Sequence, residues 1–423
     1  VDRLKTIVIG GGAAGFFGAI AAAEAAPEAQ VTLLEAAPEP LGKVRISGGG
    51  RCNVTHHCFD PAILVQHYPR GGKALRGAFT RFQPQDTVAW YKRRGVLLKT
   101  EADGRMFPTT DDSATIVDCL MGETRRVGVK VRTRAAVTNV EKTDAGFTIT
   151  LRSRETLHCD RLLLATGSSP QGHRIATALG HTIEPAVPSL FTFNVPDQAL
   201  RELAGVSVDP VVVKLLVPNA KSLTQTGPLL ITHWGFSGPA ILKLSAWGAR
   251  DLYGAGYRGT LQVNWLPSLT FDQVRGKILT AKDEVPKRAI ANHCPLDLPK
   301  RLWRYLVEQT GLEDTTWANL PKQALNKLVE SICRGTFPIK GKSVFKDEFV
   351  TCGGVKLSEV NFKTMESRQC PGLFLAGEVL NIDGVTGGFN FQSAWTTGWL
   401  AGQAITQSAN PPQHEAALEA SKH

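Results

Sequence analysis

The sequence predicts an α/β protein whose main domain packs helices on both faces of a parallel sheet. Three observations predict it. A β-branched run, Thr6 to Ile9, passes through a glycine cluster, Gly10 to Gly15, into an Ala-rich helical stretch ending near Ala26. Two later apolar runs, Arg161 to Ala165 and Leu373 to Ala376, are each followed closely by glycine and read as further buried strands. Between them the period changes: residues 189–264 alternate as strands do, with turn signals, whereas 270–333 show helical spacing, Lys and Glu enrichment and repeated Leu.

Composition narrows the classes. The 423 residues suffice for two or three domains, and 43% hydrophobic with 20% charged residues is ordinary globular usage. No apolar run approaches the roughly 20 residues of a membrane span. The longest candidate, Ala13 to Ala26, is interrupted by Gly15, Gly18 and Glu24. No signal-peptide pattern precedes the first strand, so the cytoplasm is the expected compartment. The eight cysteines show no CxxC pairing and no His at zinc spacing, which predicts reduced thiols and no metal site. The net charge of +10 attracts phosphates. Its Lys and Arg are spread along the chain, so a small-molecule substrate is expected and a nucleic-acid partner is not.

The first glycine cluster is GxGxxG. Gly10 permits the tight turn, Gly12 lets a pyrophosphate approach the backbone, and Gly15 lets the helix lie against the strand. Ala13 and Ala14 complete a first helical turn whose amides and dipole face the phosphates. Glu35, followed by Ala36, lies 20 residues beyond Gly15 at the end of a second strand, where a carboxylate accepts from the adenosine ribose. A lone GxGxxG can be a tight turn without ligand; strand, helix and acid together argue against that. This segment alone serves NAD as well as FAD.

Two further segments decide for flavin. Gly42, Lys43 and the run Ser47, Gly48, Gly49, Gly50, Arg51, Cys52, Asn53 form a Gly-rich loop able to wrap a long ligand, with Lys43 and Arg51 offsetting phosphate charge. A plain surface loop is the rival reading. Downstream, Gly377 and Glu378 end a strand at the level of a ribityl chain, and Asp383 precedes Gly388, Phe389, Asn390 and Phe391, which open a small-residue helix running to about Ile405. That helix start would stabilise negative charge on a reduced ring; its rival is a capped helix with no ligand. Val137, on an alternating stretch from Arg132 to Val140, is expected at the adenine. Ala165, Thr166 and Gly167 are expected to close the site, although both stretches also suit plain sheet. FAD, held non-covalently, is the predicted cofactor. No second GxGxxG supports a dedicated nicotinamide domain, and NAD(P)H is retained as a transient donor at the flavin face.

The residues name the cofactor better than the reaction. Cys52 and Cys58 have five residues between them, His56 and His57 included, and do not match the C-x4-C of disulfide reductases. His233 is either an acid or base beside substrate or, as the favoured reading, a structural histidine at a domain junction. No catalytic residue is assigned.

Taken together, GGGAAG (Gly10 to Gly15), SGGGRCNVT (Ser47 to Thr55), GRMFP (Gly104 to Pro108), ATGSS (Ala165 to Ser169), THWGFSGPAILKLS (Thr232 to Ser245), TCGGV (Thr351 to Val355) and GEVLNIDGVTGGFNFQSAWTTG (Gly377 to Gly398) resemble the YhiN-like family of FAD-binding oxidoreductases, also called BaiN-like or aminoacetone oxidase-like. The resemblance covers nearly the whole chain. It implies a Rossmann-like FAD domain assembled from both ends of the chain, an inserted β-rich, barrel-like domain and a small helical domain nested within that. The boundaries that follow are 1–188 and 351–408 for the FAD domain, 189–265 and 337–350 for the β-rich part, 266–336 for the helices, and a flexible tail at 409–423. It also implies hydride transfer to or from a small organic substrate, either reducing an activated C=C bond or oxidising an amine. A flavin-binding redox sensor and a flavoprotein serving RNA modification are the alternatives. This chain departs from the family in two places: the loop after Gly167 is short and Gly-poor, and Asn381 stands where Asp is common.

Overall fold

The computed structural model describes residues 3–342 and 350–407. The expected tail at 409–423 and most of the return toward Val350 lie outside them. The chain divides into two compact units, Val1–Ala186 with Thr351–His423, and Val187–Val350.

The first unit is built on a seven-stranded sheet in the order Val360–Asn361, Glu366–Ser367, Leu373–Leu375, Arg161–Leu164, Lys5–Ile9, Gln30–Leu34, Lys130–Arg132. The five strands from Leu373–Leu375 to Lys130–Arg132 are mutually parallel. Their apolar continuity follows from burial on both faces: Ile7, Val8, Leu33, Leu163 and Phe374 are all buried. Helix Ala13–Ala25 lies over the sheet and packs on the C-terminal helix Phe389–Gln407. The two axes come close because small residues line the seam; a Cβ on Gly398 would stand 2.5 Å from Ala14 O, and one on Gly402 2.4 Å from Gly18 O. Phe17 fills the layer beside them, 4.5 Å from Trp90 and 5.1 Å from Trp395 between ring centroids.

The expected single strand from Arg132 to Val140 is two strands in different sheets. Lys130–Arg132 closes the edge of the parallel sheet, and Val137–Thr143 starts a three-stranded antiparallel sheet with Gly146–Leu151 and Thr156–Cys159. Arg134, at a left-handed φ of 55°, makes the bend between them.

The second unit carries a six-stranded antiparallel sheet in the order Phe193–Asn194, Gly235–Ser237, Leu223–Thr232, Ser207–Leu216, Arg258–Asn264, Gly335–Lys340. It closes on itself: Asn194 N donates to Gly341 O at 3.1 Å, and Phe193 bridges Lys342. These two contacts join the first strand's segment to the residues that follow the last, which covers part of both sheet edges. Helices Phe271–Glu284, Lys300–Glu308 and Lys322–Arg334 occupy the stretch of helical spacing. They share one apolar core with the barrel, in which Trp265, Ile278, Trp303, Trp317 and Ile332 are buried. The architecture predicted from the sequence, a Rossmann-like layer with a barrel-like β-rich insertion and helices, is what the chain adopts.

Candidate functional site

Open parallel sheets bind ligands beyond the carboxyl ends of their strands. In the first unit three such ends converge. Gly10 follows Lys5–Ile9, Ala165 to Gly167 follow Arg161–Leu164, and Gly377 with Glu378 follows Leu373–Leu375. Gly10 has a φ of 112°, and a Cβ there would lie 2.3 Å from Ala165 O, so only glycine permits this approach. Gly15 backs onto Gly10 O, and Gly377 onto Ala14. At Gly12, by contrast, a Cβ would meet nothing within 4 Å, and the same is true of Gly42, Gly49 and Gly50. The strand ends thus form a lip of bare backbone facing open space, at the N-terminus of helix Ala13–Ala25 where four amides lack helical acceptors.

Around the lip the predicted residues divide into groups. Glu35 accepts from Gly11 N and Ala37 N, both at 2.7 Å, which holds its carboxylate at the glycine turn. Ala36 beside it is exposed. Ala135 N donates to Glu35 O at 2.8 Å, which brings the start of the Val137 strand to this end of the site. The Val137 side chain is buried. Lys43 Nζ pairs with Glu378 Oε2 at 2.5 Å across 335 residues of sequence, and Thr351 N donates to the other Glu378 oxygen at 3.0 Å. A Cβ on Gly167 would lie 3.7 Å from Glu378 Oε2.

The segment expected as a Gly-rich loop is helical over Gly42–Gly50, broken at Ser47, Gly48 and Gly49, where the backbone leaves helical angles. Ser47 Oγ donates to Val44 O at 3.1 Å. Cys52 is buried, and burial pushes its thiol up to about 12, against the opposing hydrogen bond with Ser47. Arg51 spends its charge locally, on Glu101 at 2.6 Å and Asp111 at 3.5 Å, with its guanidinium 4.0 Å from the centre of the Phe107 ring. Asn53 accepts from Gly388 N at 3.0 Å and donates to Thr55 O at 3.1 Å, so it ties this segment to the start of the C-terminal helix.

That helix start is braced from several sides. Asn390 closes a loop on itself, accepting from Gly384 N at 2.8 Å and donating to Gly384 O at 2.9 Å. The Phe389 ring stacks on His67 at 4.3 Å and His56 at 4.6 Å, and Tyr68 Oη donates to Phe389 O at 2.6 Å. Phe391 stacks on Trp395 at 5.6 Å. Asp383 is fully buried against the Arg70 guanidinium. Sequence reasoning missed His67, Tyr68 and Arg70, which lie in a stretch with no motif; only their convergence on Asp383 and Phe389 reveals them.

Among the described residues, the buried atoms Thr166 Oγ1, His173 Nε2 and Asn381 Oδ1 near these elements find no protein partner. Burial holds the His173 imidazole below its ordinary value, opposed by the Glu378 carboxylate. The glycine lip, the carboxylates of Glu35 and Glu378 and these atoms fit a long polar ligand with a pyrophosphate. Among the described residues no cluster of His, Cys, Asp or Glu could hold a metal, and no helix is long and apolar enough to cross a membrane. His233, expected at a domain junction, stands exposed in a hairpin turn of the second unit.

Residues 4–404 match the HI0933-like protein Rossmann domain. The chain is 32% identical over 409 residues to a 3-dehydro-bile acid delta(4,6)-reductase of Clostridium scindens, covering 95% of this chain and 98% of that protein. It is 31% identical over 417 residues to a ribosomal RNA dihydrouridine synthase of Escherichia coli, covering 96% and 98%. In fold it resembles the open conformation of a flavocytochrome c3 fumarate reductase (TM-score 0.51, 16% identity, 97% of this chain and 79% of that one). It also resembles a 3-ketosteroid delta1-dehydrogenase of Sterolibacterium denitrificans (TM-score 0.51, 12% identity, 96% and 100%). The relationship read from the motifs thus holds along the chain, which belongs to the HI0933-like family of FAD-dependent oxidoreductases.

Proposed function

We propose that the protein reduces a carbon–carbon double bond conjugated to a carbonyl, using non-covalent FAD that is reduced in turn by NAD(P)H. One observation carries the choice of reaction. Relatives matched over almost their full length are named for unlike substrates, a 3-dehydro-bile acid and ribosomal RNA, yet both names describe saturation of a C=C bond. In a 3-oxo steroid and in uracil alike that bond is conjugated to a carbonyl, which makes its far carbon an acceptor for hydride. Amine oxidation has no such support.

Bound FAD supplies hydride transfer; the chain's residues bind, orient and exclude water. In this reading the Gly10 to Gly15 turn, with Gly12, Ala13 and Ala14, gives its amides to the pyrophosphate, and Glu35 accepts from the adenosine ribose beside Ala36 and Val137. Gly42, Lys43, Ala165, Thr166, Gly167, Gly377 and Glu378 line the middle of the cofactor. With the cofactor bound, Lys43 would hold a phosphate in place of its ion pair with Glu378, and that carboxylate would be free to accept from a ribityl hydroxyl. The segment Ser47 to Asn53 and the helix start at Gly388, Phe389, Asn390 and Phe391 hold the ring end. Its dipole stabilises negative charge there. Arg51, engaged by Glu101 and Asp111, acts by fixing the Gly48 to Gly50 backbone, and Asp383 acts by anchoring the turn through Arg70.

The test is anaerobic reduction of the FAD-loaded protein by NADH and by NADPH, then mixing with conjugated enones, with uridine-containing RNA and with primary amines. Reoxidation by an enone or uracil with formation of its saturated product supports the reading. Reoxidation only by dioxygen, with amine turnover, defeats it.

A further inference from the structure

We propose that the second unit carries a docking cleft for single-stranded RNA, built from Arg201, Arg301 and His233, with the exposed Trp234 next to His233 in the same turn. The cleft holds about 460 Å³ and is lined by Gln198, Arg201, Glu202, Ala204, His233 and Arg301. The inference deepens the reduction reading, on which it rests for the identity of the base that is altered.

The two arginines are fixed without being neutralised. Arg201 Nε donates to Val195 O at 2.8 Å; Arg301 donates to Ala204 O at 3.4 Å and to Glu202 O. All these acceptors are neutral carbonyls, and among the described residues neither guanidinium has an ion-pair partner. A cation pre-positioned in this way loses little freedom when it meets a phosphate. The charge continues past the cleft. Arg301 lies on helix Lys300–Glu308, where Lys300 and Arg304 are exposed on the same side, about 6 Å of axial rise from end to end. Against these four cations stand Glu202 in the lining and Glu308 one turn beyond Arg304. Asp197, next to Gln198, is already committed, to Leu200 N at 2.9 Å and Tyr305 Oη at 2.6 Å.

Trp234 follows His233 in the turn between strands Leu223–Thr232 and Gly235–Ser237 and is 51% exposed. An indole left in water one residue from His233 of the cleft, together with guanidinium groups that have no ion-pair partner, offers what a nucleic-acid strand uses: a face for a base and cations for its backbone. A row of cations along a helix exceeds what one nucleotide needs, and the Trp234 indole by itself is too little apolar surface to hold a membrane. Relatives that act on ribosomal RNA make RNA the strand to test.

The experiment measures fluorescence anisotropy of a labelled oligouridylate RNA with FAD-saturated protein, without reductant, across a salt series from about 50 to 200 mM. Wild type should bind with affinity falling as salt rises. Arg201→Ala with Arg301→Ala should lower the slope of log K against log salt by about 1.4, the share of two phosphates on a single strand. Trp234→Ala should weaken binding about 5- to 150-fold while leaving the slope unchanged. The proposal is overturned if wild type does not bind, if the variants bind as wild type does, or if UMP or anionic vesicles compete as well as RNA. Retained flavin absorbance and unchanged reduction by NAD(P)H show that the variants are folded. Arginine-dependent binding by a protein that saturates no double bond would leave the docking cleft standing and defeat the reduction reading alone.

Discussion

Arg70 and Asp383, 313 residues apart in sequence, form an ion pair in which the carboxylate has no exposed surface. Each sits where its backbone already touches the other's, in an isolated antiparallel bridge. The pair therefore rivets the segment before helix Gly72–Phe79 to the turn that opens the C-terminal helix. Removing one partner strands the other: Arg70→Met leaves a buried carboxylate without its cation and should cost about 3–5 kcal/mol in denaturant unfolding. Asp383→Asn should cost less, because Arg70 retains some solvent contact. A loss for Arg70→Met no larger than that of an exposed pair, under about 1 kcal/mol, would show that the rivet is not structural.

Gly10 and Gly12 are two residues apart in one motif, yet substitutions there should fail in different ways. Gly12 is extended, with φ −93° and ψ −170°, and open space lies where a Cβ would be, so Gly12→Val should fold with near wild-type stability. Its side chain would occupy the pyrophosphate's approach, and losing even two charge-assisted hydrogen bonds, about 3 kcal/mol, weakens FAD more than a hundredfold. Gly10→Val would drive a side chain into Ala165 O and should destabilise the sheet itself. Flavin retention after gel filtration, set beside thermal melting of each variant, separates the two; stoichiometric FAD in Gly12→Val contradicts the assigned cofactor site.

The Cys52 thiol, pushed up to about 12 from 9.0, carries roughly a thousandfold less thiolate than an ordinary cysteine at neutral pH. It is a poor nucleophile and a poor partner for Cys58, whose thiol burial also raises. Reductive titration with dithionite should therefore end at two electrons per flavin. Uptake of four electrons would reveal a redox-active disulfide in the protein as isolated.

Much of this was legible in the sequence because buried parallel strands and glycine turns leave local marks. The run Thr6 to Ile9, the glycines after it and Glu35 need only neighbours within one βαβ unit, and the structure places them together. The small-residue helix running to about Ile405 is legible too, whereas the close approach of its Gly398 to Ala14 and Gly402 to Gly18 shows only in the structure. The illegible part is long-range. Nothing near Arg51 in sequence shows that Glu101 and Asp111 consume its charge, and nothing near Lys43 points to Glu378. The spread of Lys and Arg along the chain argued for a merely solvated surface, yet folding brings Arg201 and Arg301 to one cleft. Reading Arg132 to Val140 as one alternating strand passes over the consecutive apolar residues Ala135, Ala136 and Val137 and cannot report that Arg134 bends the chain from one sheet into another.

His173 gives the fold a dependence on pH. Its imidazole is buried and its folded pKa is lowered from 6.5, so between the two values the unfolded chain binds the extra proton. Stability from the neutral ring is complete above about pH 6.5 and falls as the pH drops toward the folded value. Glu378 opposes the shift and limits its size. Replacing His173 with Leu keeps an apolar side chain in the site and removes the titration. The melting temperature of wild type should thus fall more between pH 7.5 and pH 5.5 than that of His173→Leu, with other carboxylates contributing equally to both. Parallel curves would mean that the ring titrates alike in the folded and unfolded chain. The same variant bears on the cofactor: among the described residues Nε2 has no protein partner, so if the ligand supplies one, His173→Leu should weaken FAD by about 5- to 10-fold at pH 7.5, the worth of one hydrogen bond near 1 kcal/mol, as read by equilibrium titration.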